Sequence, residues 1–382
     1  MHVHGLEAPQ VEIPASPTRP VELRPFRGVR LSPQKVANPA TARAFSRPYR
    51  DVARRLVRWQ EEGYVDLDVT PALYLHEYTV HGMTIRGLVG GLELSTRAEP
   101  GDARTVFAHE AIHPDQADEL AERMEEMGIN PAPIILVHHG PQAVRDVQER
   151  VMALAPDQDY VDRAGQHHRL WRITEDAHLA AINGALAQAR LMIADGHHRY
   201  AAYLRLQQQH PGTPWDRGLT MVVDQDDTPF FLGAIHRTFP GLTFDLFAEA
   251  AATAGVPPRV VDESSALQAL HPGTVVVTDG TRWMTVEVPD PEEVSAVEHL
   301  HHTLLRRVAS DDVVHHHSVE DALAAAHDTE VAVLLPAPDY SLLDRAMDRG
   351  HLLPEKATSF QPKPSLGVLM RSVDSELMAP PQ

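Results

Sequence analysis

The spacing of apolar and polar positions divides the chain into short segments of helical and strand period. Residues 50–62, RDVARRLVRWQEE, place apolar side chains at helical spacing and stop at Gly63, a residue suited to the left-handed position after a helix. PALYLHEYTV and MTIRGLVGGLEL flank His81-Gly82, which predicts a hairpin. TVFAHE, residues 105–110, is a short strand that runs into a polar segment. Pro114 then opens a helix, PDQADELAERMEEM, that Gly128 closes. APIILVHH predicts a buried strand, PQAVRDVQERVMAL a helix, HHRLWRIT a strand and EDAHLAAINGALAQA a helix. LTMVVDQ and FFLGAIHRTF look like a further strand pair. After Pro240 the pattern restarts with the helix FDLFAEAAATAG, then alternates β-branched strands (TVVVTDG, VAVLLPA) with helices (SVEDALAAAHD, YSLLDRAMDRG).

Three regions follow from this pattern. Residues 1–20, rich in proline and small or polar groups, read as a flexible arm. Residues 21–240 form a core and residues 241–382 a second α/β unit, with a tail, 352–370, expected to return to the site. That tail sets Lys356 and Lys363 among Thr358, Ser359 and Phe360, a mixture that could line an anion pocket. From composition alone an ordinary surface tail with solvated lysines is favoured.

One stretch departs from simple packing. In LMIADGHHRYAAYL, residues 191–204, an apolar strand breaks at Asp195-Gly196 into two histidines, an arginine and an amphipathic helix. A glycine there lets a ligand approach the backbone, and the new helix offers N–H groups and the positive end of its dipole. His197, His198 and Arg199 add donors, and Asp195 adds a carboxylate able to hold a metal ion or take a proton. The competing reading is a joint with a solvated basic first turn. Cations oppose the dipole at a helix N-terminus unless an anion sits there, which weakens that reading.

Composition narrows the chemistry. A chain of 382 residues is long enough for two compact units. Lys and Arg number 34 against 53 Asp and Glu, a formal charge of −19 that repels a polyanion. No helix-turn-helix with a basic recognition helix is visible, so no nucleic acid partner is expected. No run of about 18 apolar residues occurs and MHVHGLEAPQ lacks the features of a signal peptide, so the expectation is a cytoplasmic protein with no membrane partner. Cysteine is absent, which excludes disulfides, thiol nucleophiles and thiolate metal sites. The 24 histidines include no HExxH, and His315 to His317 read as an exposed loop, so no structural zinc is expected.

Phe107-Ala108-His109-Glu110, then helix, glycine and strand, then the Asp195 turn, is an order that resembles the ParB and sulfiredoxin superfamily. There a PIxV-type strand and a GHHR-like turn bind nucleotide phosphates. Pro133-Ile134-Ile135 and Asp195-Gly196-His197-His198-Arg199 carry the match, with an insertion over residues 141–189. A closer resemblance covers nearly the whole chain, to the prokaryotic family classed as domain of unknown function 1015. Its marks here are LRPFRGVRLSPQKV at residues 23–36, the HE after a strand, HHRLWRI, IADGHHRY, His236-Arg237 and Pro354 to Lys363, PEKATSFQPK. The chain departs from that pattern after Val36, where VANPATARAFSRPYRDV is shorter and altered.

The resemblance implies an α/β (α+β) fold with a ParB/sulfiredoxin-like mixed-sheet core and chemistry similar to that of free serine kinases. Carried over, Glu110, beside His109, takes the proton of the acceptor hydroxyl. Asp195 orients Mg²⁺ or assists that base, and Gly196, His197, His198 and Arg199 neutralise the phosphoryl group. His236, Arg237, Lys356 and Lys363 are further candidate phosphate or nucleotide contacts. The implied cofactors are Mg²⁺ with ATP, ADP or pyrophosphate, and the partner is a small-molecule substrate. Phosphoryl transfer needs mostly positioning and electrostatics, which these residue types supply. Three readings stand: a kinase for free L-serine or a similar hydroxy acid, a non-enzymatic nucleotide-binding regulatory or scaffold protein, and a metal-dependent hydrolase.

Overall fold

The computed structural model describes residues 16–17, 20–38, 45, 49–98, 103–291, 293–306 and 313–373. Most of the expected arm, residues 1–20, and much of the altered segment after Val36 therefore lie outside the described residues. The chain forms two compact units. Met1–Ala108, Ile112–Phe230 and Pro362–Gln382 make the first, and His109–Ala111 with Phe231–Gln361 make the second.

The first unit is built on a nine-stranded mixed sheet. From one edge it runs Val106–Phe107, Leu191–Asp195, Ile134–His138, Arg217–Asp224, Met83–Glu93, Leu73–Val80, His167–Ile173 and Gln158–Val161, with Leu23–Arg24 beside Met83–Glu93. Ile134–His138 is parallel to Arg217–Asp224 and antiparallel to Leu191–Asp195. Its buried ILV run reflects a strand covered on both faces. The hairpin forms as the pattern predicts. Leu73–Val80 pairs with Met83–Glu93 across a two-residue turn in which His81 and Gly82 have φ of 49° and 79°, the positive values of a type I′ loop.

Helix Pro114–Met127 ends at Gly128 in the left-handed region, as its glycine predicts. Its Ala117 packs with Ala201 of helix His197–Gln209 and with Ile112, just before Pro114, so the helix that begins at the Asp195 turn is braced on the sheet and on a neighbour. A four-stranded antiparallel sheet, in the order Val65–Leu67, Gly28–Leu31, Met370–Ser372 and Ile129–Asn130, ties the tail into this unit. Arg371, 4% exposed, locks it by donating to Asn130 Oδ1 at 3.0 Å and to the Arg217 carbonyl at 2.8 Å.

The second unit carries a six-stranded antiparallel sheet, in the order Arg259–Val261, Trp283–Glu287, Thr274–Thr278, Glu330–Leu334, His236–Pro240 and Val314–His316. Val276, Trp283, Ala322, Ala332 and Leu334 share its core. Helices Phe244–Thr253, Val319–Ala325 and Tyr340–Arg349 start at Thr243, Ser318 and Asp339, whose side chains accept from the first turn.

Three expectations change. LTMVVDQ and FFLGAIHRTF do not pair: Arg217–Asp224 lies inside the first sheet, Phe231–Gly233 pairs with Ser359–Gln361, and His236–Pro240 belongs to the six-stranded sheet. The histidine run is no loop, because Val314–His316 is an edge strand beside His236–Thr238. The tail is no solvated surface segment either. Phe360, Leu369 and Met370 are buried in it, and their burial outweighs the proline and lysine content that suggested exposure.

Candidate functional site

Gly196 has φ 96° and ψ 33° and precedes helix His197–Gln209. A Cβ there would lie 2.9 Å from Ile134 Cγ2 and 3.0 Å from Arg199 Nη2, so both the conformation and the space require glycine. Strand and helix are thus joined by a single residue, which sets Asp195 and the first helical turn side by side.

The cations of this turn are engaged within the fold. Arg199 pairs with Asp195 Oδ2 and donates to the Pro133 carbonyl at 2.7 Å and the Ala132 carbonyl at 3.3 Å. Lys363, from the tail of the same unit, pairs with Asp195 Oδ1. Burial by itself would raise the Asp195 carboxyl, but Arg199 and Lys363 outweigh it and hold the group below the usual carboxylate range. His198 Nε2 accepts from the His113 N–H at 3.1 Å, and the two rings stack at 6.1 Å between centroids. His197 is buried. Asp195, Arg199 and Lys363 line a pocket of about 90 Å³ together with His76, Pro133 and Ser365.

A Mg²⁺ ion arriving with phosphates needs only one or two protein carboxylates. Both Asp195 oxygens are held by cations, and among the described residues no group of three potential ligands gathers, so these side chains as arranged do not fit a metal site.

His109, Glu110, His236, Arg237 and Lys356 belong to the second unit. A parallel bridge between Glu110 and Leu353, with the Leu353 N–H on the His109 carbonyl at 2.8 Å, fixes the HE dipeptide. Glu110 is 9% exposed. Its Oε1 accepts from the Thr358 amide at 3.2 Å and from the Thr358 hydroxyl at 3.0 Å. That hydroxyl lies 2.8 Å from His109 Nε2. With Thr358 donating to the carboxylate, His109 Nε2 carries the proton it gives to Thr358 Oγ1.

Arg237 is fully buried. It donates to the carbonyls of Ile235 at 2.7 Å, Glu355 at 3.2 Å and Lys356 at 3.0 Å. Its guanidinium therefore secures the loop that carries Thr358, while the exposed Lys356 side chain projects from a residue with φ 58°. His236 Nδ1 accepts from the Leu335 N–H at 3.1 Å.

Burial, and after it Arg237, pushes the His236 imidazole down to about 4. The folded chain keeps it neutral while the unfolded chain protonates near 6.5, so stability is full above about pH 6.5 and falls as pH drops toward 4. The loss at pH 4 is on the order of 3 kcal/mol. Thermal melts at pH 7 and 4.5 are expected to drop further for the wild type than for H236N, and equal drops would remove His236 as the cause.

The sequence did not single out three further polar residues, His76, His168 and Asp162, all under 7% exposed. His168 belongs to the HHRLWRI motif. His76 and Asp162 carry no local signal, since a histidine in an apolar strand reads as core.

Several solved structures are similar at low identity. SbnI with a C-terminal truncation, from Staphylococcus aureus, matches at 11% identity and a TM-score of 0.45, over 76% of this chain and 92% of that one. A point mutant of a free serine kinase in complex with ADP matches at 15% and 0.41, over 72% and 90%. A conserved hypothetical protein from Pyrococcus furiosus matches at 16% and 0.39, over 69% and 90%. No curated protein matches the sequence. A family profile described as protein of unknown function, DUF1015, matches residues 21–308, and the chain belongs to that family.

Proposed function

We propose that this protein is a nucleotide-dependent small-molecule kinase that takes nucleotide phosphates at the Asp195–Arg199 turn and phosphorylates the hydroxyl of free L-serine or a similar hydroxy acid. The observation that carries this reading is the obligatory left-handed Gly196, which opens a helix N-terminus beside Lys363 and Arg199. Backbone N–H groups and two fixed cations suit a phosphoryl group, whose transfer depends on positioning and charge more than on covalent chemistry. The acceptor class comes from the resemblance to free serine kinases.

Glu110 is the proton acceptor in this reading. A carboxylate held by Thr358 and backed by His109 is oriented for that task. Arg237, His236 and Lys356 take supporting parts: Arg237 secures the Glu355–Thr358 loop, His236 anchors Leu335, and Lys356 offers an exposed ammonium. Mg²⁺, which nucleotides ordinarily carry, would need Lys363 to release Asp195, and no step is assigned to it. The kinase is proposed to act in the cytoplasm; among the described residues no helix is long and apolar enough to cross a membrane.

Purified protein with ATP, ADP or pyrophosphate and a panel of hydroxy metabolites is expected to give a phosphorylated product. E110Q should lower turnover by about 100-fold or more while ADP affinity stays unchanged. Turnover of no donor under any condition would sink the kinase. A second reading, nucleotide binding without turnover, is favoured by the engagement of His198 and Arg199 inside the fold; the same assay separates the two, since it predicts ADP binding and no product.

A further inference from the structure

Three buried side chains of the first unit form a hydrogen-bonded line that ends at the pocket beside Asp195. Asp162 Oδ2 lies 3.1 Å from His168 Nε2, and His168 Nδ1 lies 3.1 Å from His76 Nε2. Asp162 also accepts from the amides of Ala164 at 2.8 Å and Gln166 at 3.0 Å. Its burial would raise the carboxyl, but the Ser365 and His168 hydrogen bonds and the Gln166 amide outweigh it and keep the group ionised.

An ionised carboxylate only accepts, so His168 Nε2 carries a proton. Burial disfavours the imidazolium of both rings, and a neutral His168 then has a lone pair on Nδ1. His76 Nε2 must supply the proton of the second bond, which leaves the lone pair of His76 on Nδ1. That nitrogen makes no hydrogen bond to any described residue, and His76 lines the pocket wall with Asp195, Arg199 and Lys363. The direction of the whole line is thus set by Asp162, and it presents an acceptor.

We propose that this pocket is a binding site for a hydrogen-phosphate group, whose P–O–H donates to His76 Nδ1 while Lys363 and Arg199 face its anionic oxygens. Two cations against one carboxylate favour an anion, and a wall histidine whose Nδ1 keeps its lone pair is matched by an anion that still bears a proton. Sulfate at neutral pH has none, so it would set oxygen lone pairs against the ring nitrogen, and phosphate has one. A volume of about 90 Å³ suits one tetrahedral group and falls well short of the roughly 300 Å³ or more of a pocket that encloses a whole drug-sized ligand. The group is either free phosphate or the terminal phosphate of a nucleotide. The inference rests on the phosphate-binding half of the proposed function and is independent of turnover.

Calorimetry on the full chain with inorganic phosphate, sulfate and ADP tests it. Phosphate is expected to bind about tenfold or more tighter than sulfate, and H76F to lose that preference. In wild-type protein labelled with ¹⁵N-histidine, the His76 Nδ1 resonance should move on adding phosphate and stay on adding sulfate, a readout that does not depend on how the variant folds. Competition between ADP and phosphate assigns the group to the nucleotide, and independent binding of both assigns it to free phosphate; either supports the site. Equal affinity for the two anions, or a silent His76 resonance, overturns it. ADP binding without anion preference would overturn this site and leave the nucleotide reading standing, whereas phosphate preference without ADP binding would do the reverse.

Discussion

G196V is expected to abolish measurable ADP binding and to lower the melting temperature. Valine is strongly disfavoured at φ 96°, and forcing a residue into such a region costs on the order of 1–3 kcal/mol. Its Cβ would also meet Ile134 Cγ2 at 2.9 Å, and Ile134 is a fully buried strand residue that cannot retreat. The strand–helix joint must then shift, carrying the first helical turn away from Asp195 and Lys363. A local shift of about 1 Å is enough to dismantle a site that works by positioning. G196A, with no branch at Cβ, should lose less of both. Calorimetry with ADP and a thermal melt read the two effects separately. Wild-type affinity in a folded G196V would remove the turn from the nucleotide site.

R237M is expected to destabilise the second unit by on the order of 3–5 kcal/mol. Methionine fills most of the volume but leaves the carbonyls of Ile235, Glu355 and Lys356 without the donors that now satisfy them. Burial pulls the guanidinium down to about 10, with Glu110 and Glu355 opposing, and it stays charged at neutral pH. With the loop released, Thr358 loses its place on Glu110, so hydrogen exchange of the Thr358 amide should speed up in R237M. R237K should rescue only in part, because one ammonium cannot reproduce the fork that spans three carbonyls. A variant that melts like wild type yet loses ADP affinity would make Arg237 a ligand contact.

These two residues show how far the sequence carried. Gly196 was legible because its demand is local: an apolar strand, a glycine and a helical pattern follow one another, and the backbone conformation follows from that order. Arg237 was legible as part of a motif but not in its role. Two of its three carbonyl partners lie 118 and 119 positions away, and nothing near it announces that it is fully buried. Composition alone favours a solvated surface lysine at Lys363, and only the family resemblance makes it a candidate phosphate contact; its ion pair with Asp195 spans 168 positions. The HE dipeptide at His109-Glu110 was found, whereas a second one at His76-Glu77 passed as core strand, although Glu77 binds Arg86 and His76 ends the line from Asp162.

The sequence by itself determined many of the elements and the ends that fall at glycine. The helix stop at Gly128, the His81-Gly82 hairpin and the Gly196 turn depend on residue periodicity and on glycine's freedom at positive φ, both properties of neighbours along the chain. Only the tertiary structure decided which polar groups meet. His76 and His168 are 92 positions apart, and their tautomers follow from a carboxylate that its hydrogen-bond donors keep ionised against its burial. Burial makes an unpaired polar group costly, so the partner must be present, but the chain's local pattern does not say where along it that partner stands.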